Sequence, residues 1–258
     1  MVFANGRGAK QVHRTAEQLE ELRSAAWGKL SNPPPMFASF PETPLVGQRL
    51  VARLLRNNPE EFQAYAAMWR EAAPELWGSE SQLMDWRNYP KLFGTGALFM
   101  KSGVCGIAFE DKAEGSLFGG AILILHMGAR AIEGAHLGLL PSHRRLSSAM
   151  KFLVRLFPRL DTYVLASGAE YAYCFVPAEE RWVQGLLERT GFSPRGALPG
   201  FMLRYAGQGY YLRDTAIFYD KLYGPRACRF ARPALLTSRA RRIWEVVRTG
   251  EETEEPEE

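Results

Sequence analysis

The middle of the chain constrains its fold most. Cys105 to Glu110 (CGIAFE) and Gly119 to Met127 (GGAILILHM) are apolar runs separated by the charged stretch Asp111 to Glu114. Short apolar runs bounded by turn residues predict an antiparallel hairpin. A third run, Ala135 to Leu140 (AHLGLL), stops at Pro141, a residue that has no backbone donor for a central ladder. Three strands in succession exclude a helical bundle and require helices, or a second sheet, to cover their apolar faces.

Helical segments supply that cover. Arg49 to Arg56 (RLVARLLR) reads as a strand, and Asn57-Asn58-Pro59 as a turn whose proline opens a helix from Glu60 to Ala73. Phe62, Tyr65, Ala66 and Trp69 share one face of it, and a second helical stretch is predicted from Ser81 to Phe93. After Pro141 the period changes: Met150, Leu153, Val154 and Phe157 form a helical stripe over Arg145 to Phe157. Pro158 is expected to break or kink this helix, with a second piece running to about Ser167. Tyr171 to Val176 (YAYCFV) is again a strand and Glu179 to Arg189 a helix, with Gly191 placed as its C-terminal cap. Phe201 to Tyr205 and Arg213 to Tyr219 are two last strands around the turn AGQGYY. This order predicts an α+β fold, one mixed and mostly antiparallel sheet flanked by helices.

The ends differ in character from this middle. Residues 14–30 repeat apolar side chains at helical spacing, with Thr15 and Gln18 as a capping box, and Asn32-Pro33-Pro34-Pro35 stops that helix. Pro33 to Pro44 has no period and reads as a linker or strap. The expected organisation is an N-terminal arm and Pro-rich linker over 1–46, a globular domain over 47–224, and an Arg-rich segment with an acidic tail over 225–258. Residues 226–248 carry seven arginines against one acid, Glu245, and residues 251–258 carry six glutamates. Such a patch suits phosphates, an anionic surface or the acidic tail itself. No nucleic-acid motif accompanies it. It reads as a solvated helix face or, because Ile243, Trp244, Val246 and Val247 lie within it, as an interface for a protein partner or for self-association.

Composition removes several other classes. No run of eighteen apolar residues exists, so no membrane-spanning helix is expected. The start MVFANGRG has no apolar core of a secretory leader. Cys105, Cys174 and Cys228 are odd in number and far apart, which predicts reduced thiols, a cytoplasmic setting and no zinc or other metal site.

Three local features resemble the GNAT superfamily of acyl-coenzyme A dependent N-acyltransferases. Ala135 to Leu140, Pro141 and then His143-Arg144-Arg145-Leu146-Ser147-Ser148-Ala149 are similar to that family's strand, proline and pyrophosphate loop. YAYCFV followed by VPAEERWVQGLLERTGF resembles its next strand, helix and closing Gly-Phe, and IAFEDKAEGSLFGGAILIL resembles its central hairpin. The likeness covers about residues 48–223 and implies a GNAT-like fold. It also implies acetyl-coenzyme A as cofactor, with an amine as acceptor. The implied cofactor contacts are Leu139, Leu140, Arg144, Arg145, Leu146, Ser147, Ser148 and Ala149. A helix start suits a diphosphate because its first N–H groups point outward at the positive end of the helix dipole.

Acyl transfer to an amine needs a base. Glu133, eleven residues before Arg144, and His136 on the same strand are the candidates the resemblance implies. The plainer readings are a solvent-facing glutamate and a core histidine, the latter for His126 as well. The family often has a tyrosine four residues before the closing glycine to protonate the leaving thiolate; here Leu187 stands there, and Tyr171 or Tyr173 is the substitute. Ser147 replaces a usual glycine of the loop, and Ala178-Glu179 replaces a frequent asparagine. Two readings therefore stay open. One is a GNAT-like N-acyltransferase. The other is a non-catalytic GNAT-like structural or adaptor protein, of the kind found among phage virion components, in which case the location would be a virion.

Overall fold

The structure, a computed structural model, describes residues 43–46, 49–74, 82–93, 103–126, 129–144, 146–166, 169–223 and 240–242. The predicted helix over 14–30, Arg145, Cys228, the acidic tail and the Arg-rich segment apart from 240–242 lie outside the described residues.

The first helix, α1 (Pro59–Ala72), starts where its local chemistry dictates. Asn58 is extended and its side chain accepts from the Glu61 N–H at 2.8 Å, Pro59 needs no donor in the first turn, and Glu60 and Glu61 complement the helix dipole. The helix buries Phe62, Tyr65, Ala66, Met68, Trp69 and Ala72. Its seat is made by two glycines. A Cβ on Gly120 would lie 2.6 Å from the Tyr65 ring, and one on Gly138 would lie 2.7 Å from the Trp69 ring, so only glycine admits these rings against the sheet. The Tyr65 hydroxyl then donates to the Ala121 carbonyl at 2.9 Å, with the Ile107 carbonyl at 3.1 Å.

Among the described residues the sheet has eight strands: β1 (Thr43–Val46), β2 (Leu50–Leu54), β3 (Val104–Asp111), β4 (Ser116–His126), β5 (Ala131–Leu139), β6 (Tyr171–Pro177), β7 (Ser193–Gly207) and β8 (Tyr210–Leu222), in the order β1-β2-β3-β4-β5-β6-β8-β7. Every neighbouring pair is antiparallel except β5 and β6. The sheet thus reaches back to Thr43, four residues ahead of Gly47, where the sequence suggested that the domain begins. Between β7 and β8, Gln208 and Gly209 both take positive φ, the two-residue turn whose twist suits a hairpin.

Two cores lie on the two faces. One gathers α1 residues with Ala108 and Ile122; the other gathers Phe109, Phe118, Leu139, Ala172 and Val176 with the residues of α4 (Ser147–Ala166) and α5 (Arg181–Arg189). The stretch predicted as one helix over Ser81 to Phe93 is instead two 3₁₀ turns, Gln82–Met84 and Trp86–Asn88, followed by one α-turn, α2 (Tyr89–Leu92). The Asp85 side chain accepts from the Arg87 N–H at 3.1 Å and so starts a new turn, while Leu83, Tyr89 and Phe93 are buried.

Pro158 does not end the helix. α4 is continuous, because Phe152, Leu153, Leu156 and Phe157 before the proline and Val164 after it are anchored in one core. Burial of such side chains is worth about 1.5–3 kcal/mol each, against about 3 kcal/mol for an internal proline. The missing donation would have gone to Val154, which is 45% exposed, so the cost falls where solvent reaches the helix. The end of α5 is as expected: Gly191 takes φ +86, and Phe192 donates to the Leu187 carbonyl at 3.0 Å.

Candidate functional site

The parallel pair β5 and β6 is bonded only from Ala131↔Tyr171 to Gly134↔Cys174. Beyond that point the β6-facing peptide groups of β5, from Ala135 to Leu139, have no strand partner among the described residues, and a cavity of about 450 Å³ opens. Leu137, Leu139, Leu156 and Cys174 line it on the α4 side; Trp69, His136 and Tyr173 line it on the α1 side. A cleft thus opens between the strand ending before Pro141 and YAYCFV, and Tyr173 sits at its closed end.

A β-bulge decides which side chains reach it. Ile122 pairs with His136 while the next residue, Leu123, pairs with Gly134, so Ala135 is surplus on β5. Ile132, Leu137 and Leu139 pack in the α4-side core, whereas His136 lies edge-on to Trp69 of α1, with ring centroids 6.0 Å apart. Glu133 and His136, three residues apart, thereby share a face.

Glu133, on β5, meets Tyr173 of β6 and His126 of β4. The Tyr173 hydroxyl donates to Glu133 Oε2 at 3.1 Å. His126 Nε2 lies 2.9 Å from the same oxygen and 3.0 Å from the Tyr173 hydroxyl. Glu133 and His126 are partly exposed, at 22% and 39% of their side chains. Burial, then the Glu133 charge and hydrogen bond, push the Tyr173 phenol up to about 12, so it holds its proton at neutral pH. Burial pulls His136 below the ordinary histidine value against an opposing effect of Glu133, which keeps it neutral there. The Cys174 thiol is pushed up to about 12, first by burial and then by Glu133, and is a poor nucleophile.

The structure thus brings Glu133 and Tyr173 together and leaves His136 apart from them, further into the cleft. His126, which the sequence suggested only as a core histidine, completes the triangle. The β4–β5 register was the signal for it, since His126 opposes Ala131 two residues from Glu133. Leu187 is buried in the wall of the cavity and offers no proton. Tyr171 is committed elsewhere: its hydroxyl donates to Asp220 at 3.1 Å, and Asp220 accepts from Arg195 at 2.7 Å.

The loop after β5 departs from an open phosphate cradle. Pro141–Arg144 form a single helical turn, α3, in which the His143 and Arg144 N–H groups donate to the Leu140 carbonyl. The Leu140 N–H donates to Phe118 and the Leu146 N–H to His143. The Arg144 guanidinium turns back, donating to the carbonyls of Leu139 and of Ala72 at the end of α1. Leu139 itself is fully buried. The N–H groups that precede the first intrahelical bond of α4, which Met150 donates to Leu146, are those of Ser147, Ser148 and Ala149. Ser147 is exposed, Ser148 half-buried and Ala149 buried.

No family model matches the sequence, and no curated protein matches it. Solved structures match the fold. A protein described as a phosphinothricin N-acetyltransferase is similar with a TM-score of 0.50 at 13% identity, over 68% of this chain and 99% of its own. The dodecameric spermidine N-acetyltransferase of Vibrio cholerae gives a TM-score of 0.52 at 18% identity, over 68% of this chain and 95% of its own. At such identities the likeness is one of fold. The chain has the GNAT-like α+β architecture, a mostly antiparallel mixed sheet flanked by helices.

Proposed function

We propose that the protein is an N-acyltransferase that moves an acetyl group from coenzyme A to an amine. The observation that carries this reading is the opening of β5 from β6 directly above the Glu133–Tyr173 contact. The solved neighbours are named for acetyl transfer involving spermidine and phosphinothricin, which agrees with it.

The residues present fit the coenzyme in two places. The peptide groups of β5 beyond Gly134 that face β6, apart from the Leu139 carbonyl that Arg144 occupies, would hold an extended thioester arm by backbone hydrogen bonds, as a strand partner does. The N–H groups of Ser147, Ser148 and Ala149 at the start of α4, with the two serine hydroxyls, would hold its phosphates. When bound, the coenzyme supplies an acyl thioester: a C–N bond replaces the C–S bond, one proton leaves the amine and one reaches sulfur.

Glu133 is the group that takes the amine proton, being an acceptor bonded to Tyr173 at the closed end of the cleft and partly open to solvent. Tyr173 is the group that holds a proton to give, since its phenol stays neutral far above pH 7. His126 fixes the Glu133 oxygen they share. His136, neutral and buried, contributes an uncharged wall beside Trp69.

The Arg144 side chain favours a second reading, a GNAT-like adaptor without chemistry, because its guanidinium and the loop amides around it are already engaged within the protein. A thermal-shift measurement with acetyl-coenzyme A separates the two. A ligand at 100 times its Kd stabilises by about 2.7 kcal/mol. The transferase reading expects that shift together with thiol release in the presence of an amine, and the adaptor reading expects neither.

A further inference from the structure

Resting on the transferase reading, we infer that the acceptor is an amine carried on a flat aromatic body. A continuous run of rings leads away from Glu133 across β6, β8 and β7. Tyr173 lies 5.9 Å from Phe175 and 6.0 Å from Phe218 between centroids; Phe175 lies 5.3 Å from Phe218 and 4.6 Å from Phe201. Tyr173 and Phe175 line the cavity, so the run is continuous with the cleft and is not a separate surface. Phe201, at its outer end, is 52% exposed.

Charge along the same face suits the acceptor's ammonium group at Glu133. Among the described residues, Glu133 meets His126 and Tyr173, and neither an arginine nor a lysine pairs with it. Other acids nearby already meet groups of the protein: Asp220 meets Arg195 at 2.7 Å, Asp214 and Glu179 share Arg204 at 2.9 and 3.0 Å, Glu170 meets Arg130 at 3.0 Å, and Glu180 of the cavity lining accepts from Trp182 Nε1 at 2.6 Å. One ammonium at Glu133 with a ring stacked on Phe175 and Phe201 satisfies both the carboxylate and the rings.

The test uses the full chain, with 2-phenylethylamine and spermidine as probes and two independent readouts. Amine binding is followed by saturation-transfer NMR without coenzyme. Transfer is followed by thiol release from acetyl-coenzyme A. We expect 2-phenylethylamine to bind, spermidine not to displace it, and F175A and F201S each to weaken binding about tenfold, the loss of roughly one ring contact. Phe201 is exposed, so F201S tests the subsite even if F175A unfolds. Displacement by spermidine, or unchanged binding in F201S, overturns the inference. Binding as expected without thiol release or a coenzyme-induced Tm shift keeps the aromatic amine subsite and removes the transferase reading. Thiol release with spermidine and none with 2-phenylethylamine does the reverse.

Discussion

Tyr173 and Glu133 are register partners on the parallel strands β6 and β5, and the phenol of one donates to the carboxylate of the other at 3.1 Å. They stand at the last stretch of bonded backbone before the strands part. A proton acceptor and a proton holder are thus fixed by the same ladder that ends at the cleft.

This contact is measurable. Burial, and then Glu133, push the Tyr173 phenol up to about 12 from an ordinary value of 10.0. In E133Q its pKa is expected to fall only part of the way towards 10, since burial remains. Tyrosine ring-labelled NMR, with Y173F for assignment, gives the value. An unchanged titration in E133Q would mean that the pair is not joined in solution. E133Q should also reduce thiol release by about 10²-fold or more, the usual contribution of a positioned base.

His136 gives a pH dependence of known sign. Its folded pKa lies below the ordinary 6.5, so its contribution to stability is present above 6.5 and is lost as pH falls through the folded value. Tm is therefore expected to decline between pH 7 and pH 5, with a smaller decline in H136Q. Equal slopes in the two proteins would assign the acid sensitivity to other groups.

Ser147 tests the phosphate end. S147E places a negative charge at the start of α4, which suits the helix dipole and should leave Tm unchanged or slightly raised. The same charge repels a diphosphate, and affinity for acetyl-coenzyme A is expected to fall about tenfold or more by calorimetry. Unaltered affinity would locate the coenzyme elsewhere.

Arg53 tests the framework under α1. Its guanidinium, buried on β2, donates to Glu61 in the first turn of α1 and to Glu110 on β3. Burial opposes ionisation of Glu110, yet the Arg53 hydrogen bond and charge outweigh it and hold the carboxyl below its usual range. R53A leaves two carboxylates facing an empty site and should cost about 3–5 kcal/mol in urea unfolding. R53M combined with E61Q and E110Q is expected to recover most of the loss. Failure of that triple variant to recover would shift the explanation from charge to packing.

Periodicity alone was enough to read α1, which buries one face, and continuous apolar runs to read the β3–β4 hairpin, which is covered on both; the stripe of α4 was half legible, since Leu153 and Phe157 are buried but Val154 is exposed and Phe152 and Leu156 fill the core instead. Three features needed information that no local window holds. Pro158 is tolerated because residues on both sides of it share a distant core. His126 joins the site through cross-strand register, which depends on where the β4–β5 turn falls. Arg144 matches a loop pattern in sequence, but its guanidinium finds the carbonyl of Ala72, seventy-two residues earlier, and that encounter is a product of the finished packing.

The chemistry of β5 is written as a count as well as a list of residues. On an unbroken strand an odd separation puts two side chains on opposite sides, and Glu133 and His136 are an odd number apart. Ala135, the surplus residue, shifts the phase once and brings both to the side of α1, while Leu137 and Leu139 turn to the other. A change that preserves every polar residue of the cleft but alters the count between them by one would divide the site between the two faces of the sheet. Length between Gly134 and His136 is therefore under the same constraint as the identity of Glu133 itself.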